Sequence, residues 1–530
     1  MSTKPNIVVI LCDDIGYSDP GCFGGEIATP NIDSLASHGA QYTNFYVTPR
    51  CAPSRASLLT GMYPHQAGIG ILTYNDGPAG YPGNLRANCP TVAQILEKYG
   101  YKSYLSGKWH LSNNNSTPNG NWPLQRGFHR FYGTLAGSGS FYHPRTLMRD
   151  NENIEHEVSE GGFYYTDKIT ENAVTFMRDH FKNHPGQPFF GYFAYTAPHW
   201  PLHAHKEHID SFKGKFDEGW DILREKRIQR QIEKGILPRE SLGKFVDDEA
   251  PRWQDADDKE WRKRCMEVYA AQIRSLDEGV GAILKTLEEN GELENTCVFF
   301  LSDNGGCNEV IKPHPTPGVD LSIFVSHTIH GEPVMLGNHP DIMPGGENTF
   351  QTYSDWAYLS NSPFRLYKSW AHEGGIASPL LVRFGKSADV RGIQAAPGQL
   401  NDILPTILAL TGAEYPDTFG GEKTFPLEGI SLTAAAKNDR ELYFEHQGNC
   451  AVRCGKWKLV KEYAKAWELY DLESDRTETN DVSGNNMQIV HDMILKYYHW
   501  ARRSDVIPRE NILSIPWRIT HPNQYFGWMI

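Results

Sequence analysis

The chain has 530 residues, 39% hydrophobic and 22% charged, which is an ordered globular composition too long for one core of usual size. Its 51 Lys and Arg against 64 Asp and Glu give a formal charge of -13, so no general attraction to nucleic acid or to an anionic membrane surface is expected. Nine cysteines, an odd number without C-x-x-C pairs, argue against a disulfide framework and against a zinc site.

Residues 7–11, Ile-Val-Val-Ile-Leu, are too short for a secretory apolar core and precede Cys12-Asp13-Asp14 rather than a cleavage site, so they read as a strand buried on both faces. No stretch approaches transmembrane length, and the expectation is a cytoplasmic protein with no membrane partner. Residues 30–39 predict a short amphipathic helix with Ile32, Leu35 and Ala36 on one side, and residues 41–47 a strand. From Cys51 to Gly61 a helix is predicted, with Pro53 in its first turn and Arg55 one turn from Cys51 on the same face. Its free N–H groups and positive end favour an anion near Cys51, although a cysteine there, taken alone, reads as a packing residue.

A helix at 91–99 leads to a strand at 101–109 ending in Gly107-Lys108-Trp109-His110, where Lys108 and His110 share a face. Two solvated residues at a strand end would look the same. Residues 111–165 have little periodicity, 166–180 read as a helix, and 188–195 form an apolar strand ending in Thr196-Ala197-Pro198-His199. Apolar residues at 269, 273, 276, 280, 283 and 287 predict a long core-facing helix. A strand at 297–301 then ends in Asp303-Asn304-Gly305-Gly306, which is also a good turn. Loops at 71–88, 113–146 and 307–350 are expected to shape a pocket. After Lys368 come a strand at 379–384 and a helix at 402–410. Beyond about 430, alternating segments at 441–446, 451–461 and 467–472 predict a small antiparallel sheet, with an amphipathic helix at 487–502 to cover it.

Three buried-type strands thus end in Asp13-Asp14, His199 and Asp303-Asn304, and open α/β sheets bind ligands at such strand ends. Asp13, Asp14, Asp303 and Asn304 offer only oxygen, which suits Ca²⁺ or Mg²⁺ and not zinc. With a divalent cation, Arg55, Lys108 and Lys368 would outweigh the three aspartates and hold an anion.

Cys51-Ala52-Pro53-Ser54-Arg55 followed by Leu58-Leu59-Thr60-Gly61 resembles the signature of type I sulfatases, in which the cysteine is converted to formylglycine. Gly107-Lys108-Trp109-His110, Thr196-Ala197-Pro198-His199, Asp303-Asn304-Gly305 and the Lys368 region resemble bacterial arylsulfatases of that family, in family order. The resemblance implies an α/β fold of alkaline-phosphatase type: a large mixed, mostly parallel sheet flanked by helices (1–430), with a smaller C-terminal antiparallel sheet domain packed by a helix (431–530). It implies Ca²⁺, with Mg²⁺ second, on Asp13, Asp14, Asp303, Asn304 and the modified Cys51, and a formylglycine-generating maturation enzyme as a partner. The implied substrate is a small-molecule sulfate ester, aryl or related. Arg55 and the metal would hold the aldehyde hydrate, Lys108 and Lys368 the sulfuryl oxygens. His199 would protonate the leaving oxygen, and His110 would assist proton loss. One hydrate hydroxyl would attack sulfur, and the other would later expel sulfate.

The nearest competitor is a phosphonate monoester or phosphodiester hydrolase of the same superfamily. A cysteine phosphatase would need an arginine where Ser57 stands. An inactive metal-stabilised binding protein whose Cys51 stays a thiol is the third possibility.

Overall fold

The layering follows from the first strand. In the computed structural model, which describes residues 4–75, 77, 79–160, 162–243, 250–313, 324–435 and 437–513, β1 (Asn6–Cys12) is buried along its whole length. Val8, Ile10 and Cys12 enter one hydrophobic core and Ile7, Val9 and Leu11 another, so the sheet that contains β1 must be covered on both faces.

That sheet has ten strands. They are β1, β2 (Ala40–Tyr42), β3 (Lys102–Gly107), β4 (Arg130–Thr134), β5 (Leu147–Arg149), β6 (Glu152–Asn153), β7 (Phe189–Ala194), β8 (Thr296–Ser302), β9 (Leu380–Arg383) and β10 (Gly392–Gln394). Their order is β10-β2-β9-β8-β1-β7-β3-β4-β5-β6. The centre, β8-β1-β7-β3-β4, is parallel, while β9 runs antiparallel to both β8 and β2. Leu11 is level with Ala194 and Leu301, and Gly107 with Ala194, so the central strands end at one height.

Helices α1 (Pro30–His38), α4 (Tyr165–Asn183) and α6 (Lys259–Glu289) cover one face; α2 (Cys51–Thr60), α3 (Val92–Glu97) and α7 (Ile403–Thr411) cover the other, and α5 (Gly219–Glu233) adds Trp220 and Leu223 to the core of the first. Tyr269, Ile273, Leu276, Val280, Ile283 and Leu287 of α6 are all fully buried, as their spacing predicts. Each such side chain contributes about 1.5–3 kcal/mol relative to exposure, so the stripe, more than helix propensity, anchors α6.

The small sheet is β11 (Glu441–His446), β12 (Asn449–Cys454), β13 (Trp457–Lys461) and β14 (Glu468–Asp471), antiparallel and in chain order. Helix α8 (Met487–Arg503) buries Val490, Met493, Tyr497 and Trp500 against it.

Two predicted elements divide. Residues 41–47 are not one strand: β2 pairs in the main sheet, while Phe45–Tyr46 pairs with Gly398–Gln399 in a separate ribbon. Thr43 N and Asn44 O bond to Gln394 O and Gly398 N, and the chain changes sheets there. Residues 451–461 are likewise a hairpin, with Cys454 opposite Trp457 and Gly455 turning at φ +58°. Of the long loop at 307–350, residues 314–323 lie outside the described residues. Among the described residues no helix is long and apolar enough to cross a membrane.

Candidate active site

Because the central strands end level, the residues that follow them meet. Asp13 and Asp14 follow β1, Lys108 and His110 follow β3, His199 follows β7, and Asp303 and Asn304 follow β8. Cys51 and Arg55 arrive on the first turns of α2, whose ten residues are all buried. Arg50, extended at φ -147°, caps the helix start, Ser54 N bonds to Arg50 O at 3.1 Å, and Gly61 closes the other end at φ +70°. Lys368 comes from the loop before β9. All of the sequence-predicted residues thus reach one place. His110 alone is half-buried; the rest are buried.

Asp13 Oδ2 accepts from Lys108 Nζ at 2.6 Å and lies 3.5 Å from Arg55 Nη2. Arg55 donates to Asp303 Oδ2 through Nε (3.1 Å) and Nη2 (2.8 Å), and to the Lys108 carbonyl through Nη1 (3.1 Å). Lys368 Nζ is 2.9 Å from Asp14 and 3.2 Å from His199 Nε2. Asn304 Nδ2 donates to Asp14 Oδ1 at 2.6 Å. His110 Nδ1 lies 3.6 Å from Cys51 Sγ. His199 Nδ1 bonds to the Trp200 carbonyl at 2.7 Å, which fixes that nitrogen as the protonated one and leaves the Nε2 lone pair facing Lys368.

Burial, joined by the charges of Lys368 for His199 and of Lys108 and Arg55 for His110, pushes both imidazoles down, His199 to about 4 and His110 well below its usual range. Both are therefore neutral at neutral pH. Burial alone would raise Asp13, yet Lys108, with Arg55 and Lys368, holds it far below the usual carboxylate range. Asp303 is pushed up by burial and by the charge of Asp13, so Asp13 is the firmer anion of the two.

Two buried oxygens of this cluster, Asp13 Oδ1 and Asn304 Oδ1, have no hydrogen-bond partner. Leaving such atoms unpaired costs about 1–3 kcal/mol each, and both are hard donors beside two further carboxylates. Asp13, Asp14 and His199 also bring ligand atoms within 4.8 Å of one another. The donor set fits a hard divalent cation.

Sequence reading missed what holds the turn at Asp14. Asp14 is in the left-handed region at φ +69°, and Tyr269 Oη lies 3.1 Å from its carbonyl and 2.7 Å from Asp19 Oδ2. Asp19 in turn pairs with Arg227 at 2.8 Å. Tyr269 had been legible only as one residue of an apolar stripe. Arg50 and Glu309, paired at 2.6 Å beside Cys51, were also missed. Arg50 adjoins the cysteine motif and could have been suspected, whereas Glu309 lies in an aperiodic loop with no signal.

A model of the sulfatase family matches residues 5–413, and one for the C-terminal part of N-sulphoglucosamine sulphohydrolase matches residues 364–502. An uncharacterized sulfatase of Schizosaccharomyces pombe is 32% identical, over 96% of this chain and 95% of that protein. An arylsulfatase of Klebsiella aerogenes is 30% identical, over 81% of this chain and 92% of its own length. The crystal structure of Ps i-CgsB in complex with k-i-k-neocarrahexaose superposes with a TM-score of 0.68 at 24% identity, covering 99% of both chains, and supports the fold.

Proposed function

Given that the chain belongs to the sulfatase family and is an enzyme that hydrolyses sulfate esters, we propose that it does so as an arylsulfatase-type hydrolase, through a formylglycine made from Cys51. The observation that carries this reading is the convergence, at one level of the sheet, of Cys51, three buried cations and two unpartnered hard oxygens. When present, the hydrated aldehyde supplies one hydroxyl to attack sulfur and a second to expel sulfate afterwards. Asp13, Asp14, Asp303 and Asn304 would hold Ca²⁺, with Mg²⁺ the less suited ion and the modified Cys51 completing the set; the ion supplies charge stabilisation.

The side chains around it divide the remaining work. Arg55, donating to Asp303 and the Lys108 carbonyl, orients the start of α2. Lys108 and Lys368, now on Asp13 and Asp14, are the cations in reach of sulfuryl oxygens. His110, kept neutral, can accept a proton at Nδ1 from the group on residue 51. His199 must gain a proton at Nε2 before it can protonate a leaving oxygen, and Lys368 Nζ at 3.2 Å holds that nitrogen toward the site. The ester's alcohol portion would meet the loops at 71–88, 113–146 and 307–350.

We also propose the division into a catalytic domain (1–430) and a smaller domain (431–530), maturation by a formylglycine-generating enzyme, and a cytoplasmic location, which nine free thiols suit. Peptide mass spectrometry of the Cys51 peptide in active enzyme tests the nucleophile: an unmodified cysteine there refutes it. Comparing kcat/KM on paired aryl sulfate and aryl phosphodiester substrates tests the reaction, and a clear preference for the diester overturns it.

A further inference from the structure

The loop after β8 carries a carboxylate that no motif accounts for. Glu309 is 7% exposed and uses both oxygens: Oε1 accepts from Arg50 Nη1 at 2.6 Å, and Oε2 accepts from Trp200 Nε1 at 3.0 Å. Arg50 Nη1 also reaches Ser369 Oγ at 2.9 Å. Each of these partners is the chain neighbour of a residue in the proposed chemistry: Arg50 of Cys51, Trp200 of His199 and Ser369 of Lys368.

The contacts are of a kind that sets geometry. Trp200 supplies the carbonyl that fixes the His199 tautomer. Ser369 is held in the left-handed region at φ +83°, with its N–H on the Pro49 carbonyl at 2.7 Å and its own carbonyl accepting from Asn449 Nδ2 at 2.9 Å. A non-glycine residue persists there only when its surroundings over-determine it. The same tryptophan packs on Phe350, 5.9 Å between ring centroids, and against the small core of Ile311, Val325 and Val334.

A buried anion beside an anion-binding site is unfavourable unless it is compensated. Burial would raise the Glu309 carboxyl, but Arg50 and Lys368 together hold it well below the usual range. Glu309 thus stays charged while weakening the local field that would hold sulfate.

We propose that Glu309 is a positioning residue that keys the Cys51, His199 and Lys368 segments to one another through Arg50 and Trp200, and that its charge moderates the grip on product sulfate. This rests on the sulfatase mechanism proposed above.

The two effects move opposite ways when the charge alone is removed. Glu309→Gln, matched to wild type in melting temperature and formylglycine content, is expected to lose about 10- to 100-fold in kcat from misplaced groups. It should also bind inorganic sulfate about three- to tenfold more tightly, since one negative charge is gone and Arg50 is unpaired. Glu309→Asp keeps the charge and should keep wild-type sulfate affinity. A merely structural role would lower kcat and sulfate affinity together, and that result, or a kcat within twofold of wild type, overturns the proposal. Should Glu309→Gln fail to fold, Trp200→Phe removes the Nε1–H together with part of the ring, and an unchanged kcat there overturns the proposal equally. Wild type that cleaves no sulfate ester refutes the mechanism proposed above; calorimetric titration of sulfate into wild type and Glu309→Gln then still decides the charge effect.

Discussion

Lys458→Met should unlock the small sheet from the large one. Lys458, on β13, is fully buried between Glu373 Oε1 at 2.9 Å and Glu478 Oε1 at 2.8 Å. Glu373 opens a one-turn helix (Glu373–Ile376) between Lys368 and β9, and its Oε2 also accepts from Tyr46 Oη at 2.9 Å and faces Arg476 Nε at 3.3 Å. Glu478 Oε2 accepts from the Glu373 N–H at 2.7 Å. Methionine conserves the volume of the stem but removes the cation that both buried carboxylates contact, while Arg476 faces Glu373 alone. Breaking a buried network by deleting one partner costs about 3–5 kcal/mol, which at about 1.36 kcal/mol per decade raises local opening roughly 150- to 5,000-fold. Hydrogen exchange of amides in β11–β14 reads that opening directly. Adding Glu478→Gln to Lys458→Met should recover most of the loss, because a neutral amide tolerates the missing charge. Exchange within twofold of wild type in the single variant would refute the reasoning. The sign of the pH dependence follows too. Burial raises Glu373, but Lys458 and Arg476 pull it down overall, so the network's stabilisation is present above the ordinary carboxylate range and is lost as pH falls through and below it.

Cys51→Ala should abolish turnover and leave the melting temperature within a few degrees of wild type; activity near wild type would sink the nucleophile assignment. Ca²⁺ at about 100 times its dissociation constant should stabilise the protein by roughly 2.7 kcal/mol, and Asp13→Asn should erase most of that shift in thermal melts. Melts indifferent to both Ca²⁺ and Mg²⁺ would contradict a metal site. Tyr269→Phe, which frees the Asp14 carbonyl and Asp19 Oδ2, should cost about 1–3 kcal/mol and weaken Ca²⁺ binding by calorimetry, whereas unchanged affinity would show that Asp14 holds its backbone unaided. Burial lifts Asp277 to about 6, although it accepts from the N–H groups of Asn31 and Ile32. With its folded value above the unfolded one, its contribution is full in acid and is lost as pH rises through about 6, so Asp277→Asn should flatten the stability profile between pH 4 and 6. A slope unchanged by that substitution would assign it elsewhere.

The parts of the fold that could be read in the sequence are those where one segment carries its own signal. The apolar runs of β1, β7 and β8 announce strands buried on both faces, and the Tyr269–Leu287 stripe announces α6. The polar residues after those strands are conspicuous because they interrupt apolar runs, which is why Asp13, Asp14, His199, Asp303 and Asn304 could be gathered before any geometry was known, whereas the roles of Cys51 and of Lys368, in a loop, rest on the resemblance to sulfatase motifs. Residues 41–47 gave no sign of changing sheets, since the cause lies in partners at Gln394 and Gly398. Gly455 did offer a turn signal inside the stretch read as one segment. Lys458 looks like the solvent-facing member of an alternating strand, and only its remote partners Glu373 and Glu478 make it internal. Glu309 and Asp19 are hidden for the same reason: their roles are written in three-dimensional neighbours.

The complete burial of α2 also sets an order of events in time. Cys51 is 3% exposed, and every residue from Cys51 to Thr60 is buried between the sheet and α7. Modification of Cys51 by another enzyme, as proposed above, would need access to its side chain, which the folded chain does not offer. Modification and folding are therefore competing clocks: a chain that folds first is sealed with a thiol. The active fraction of a preparation should then rise when folding is slowed or the modifying enzyme is made more abundant, and incubating the folded protein with that enzyme should change nothing.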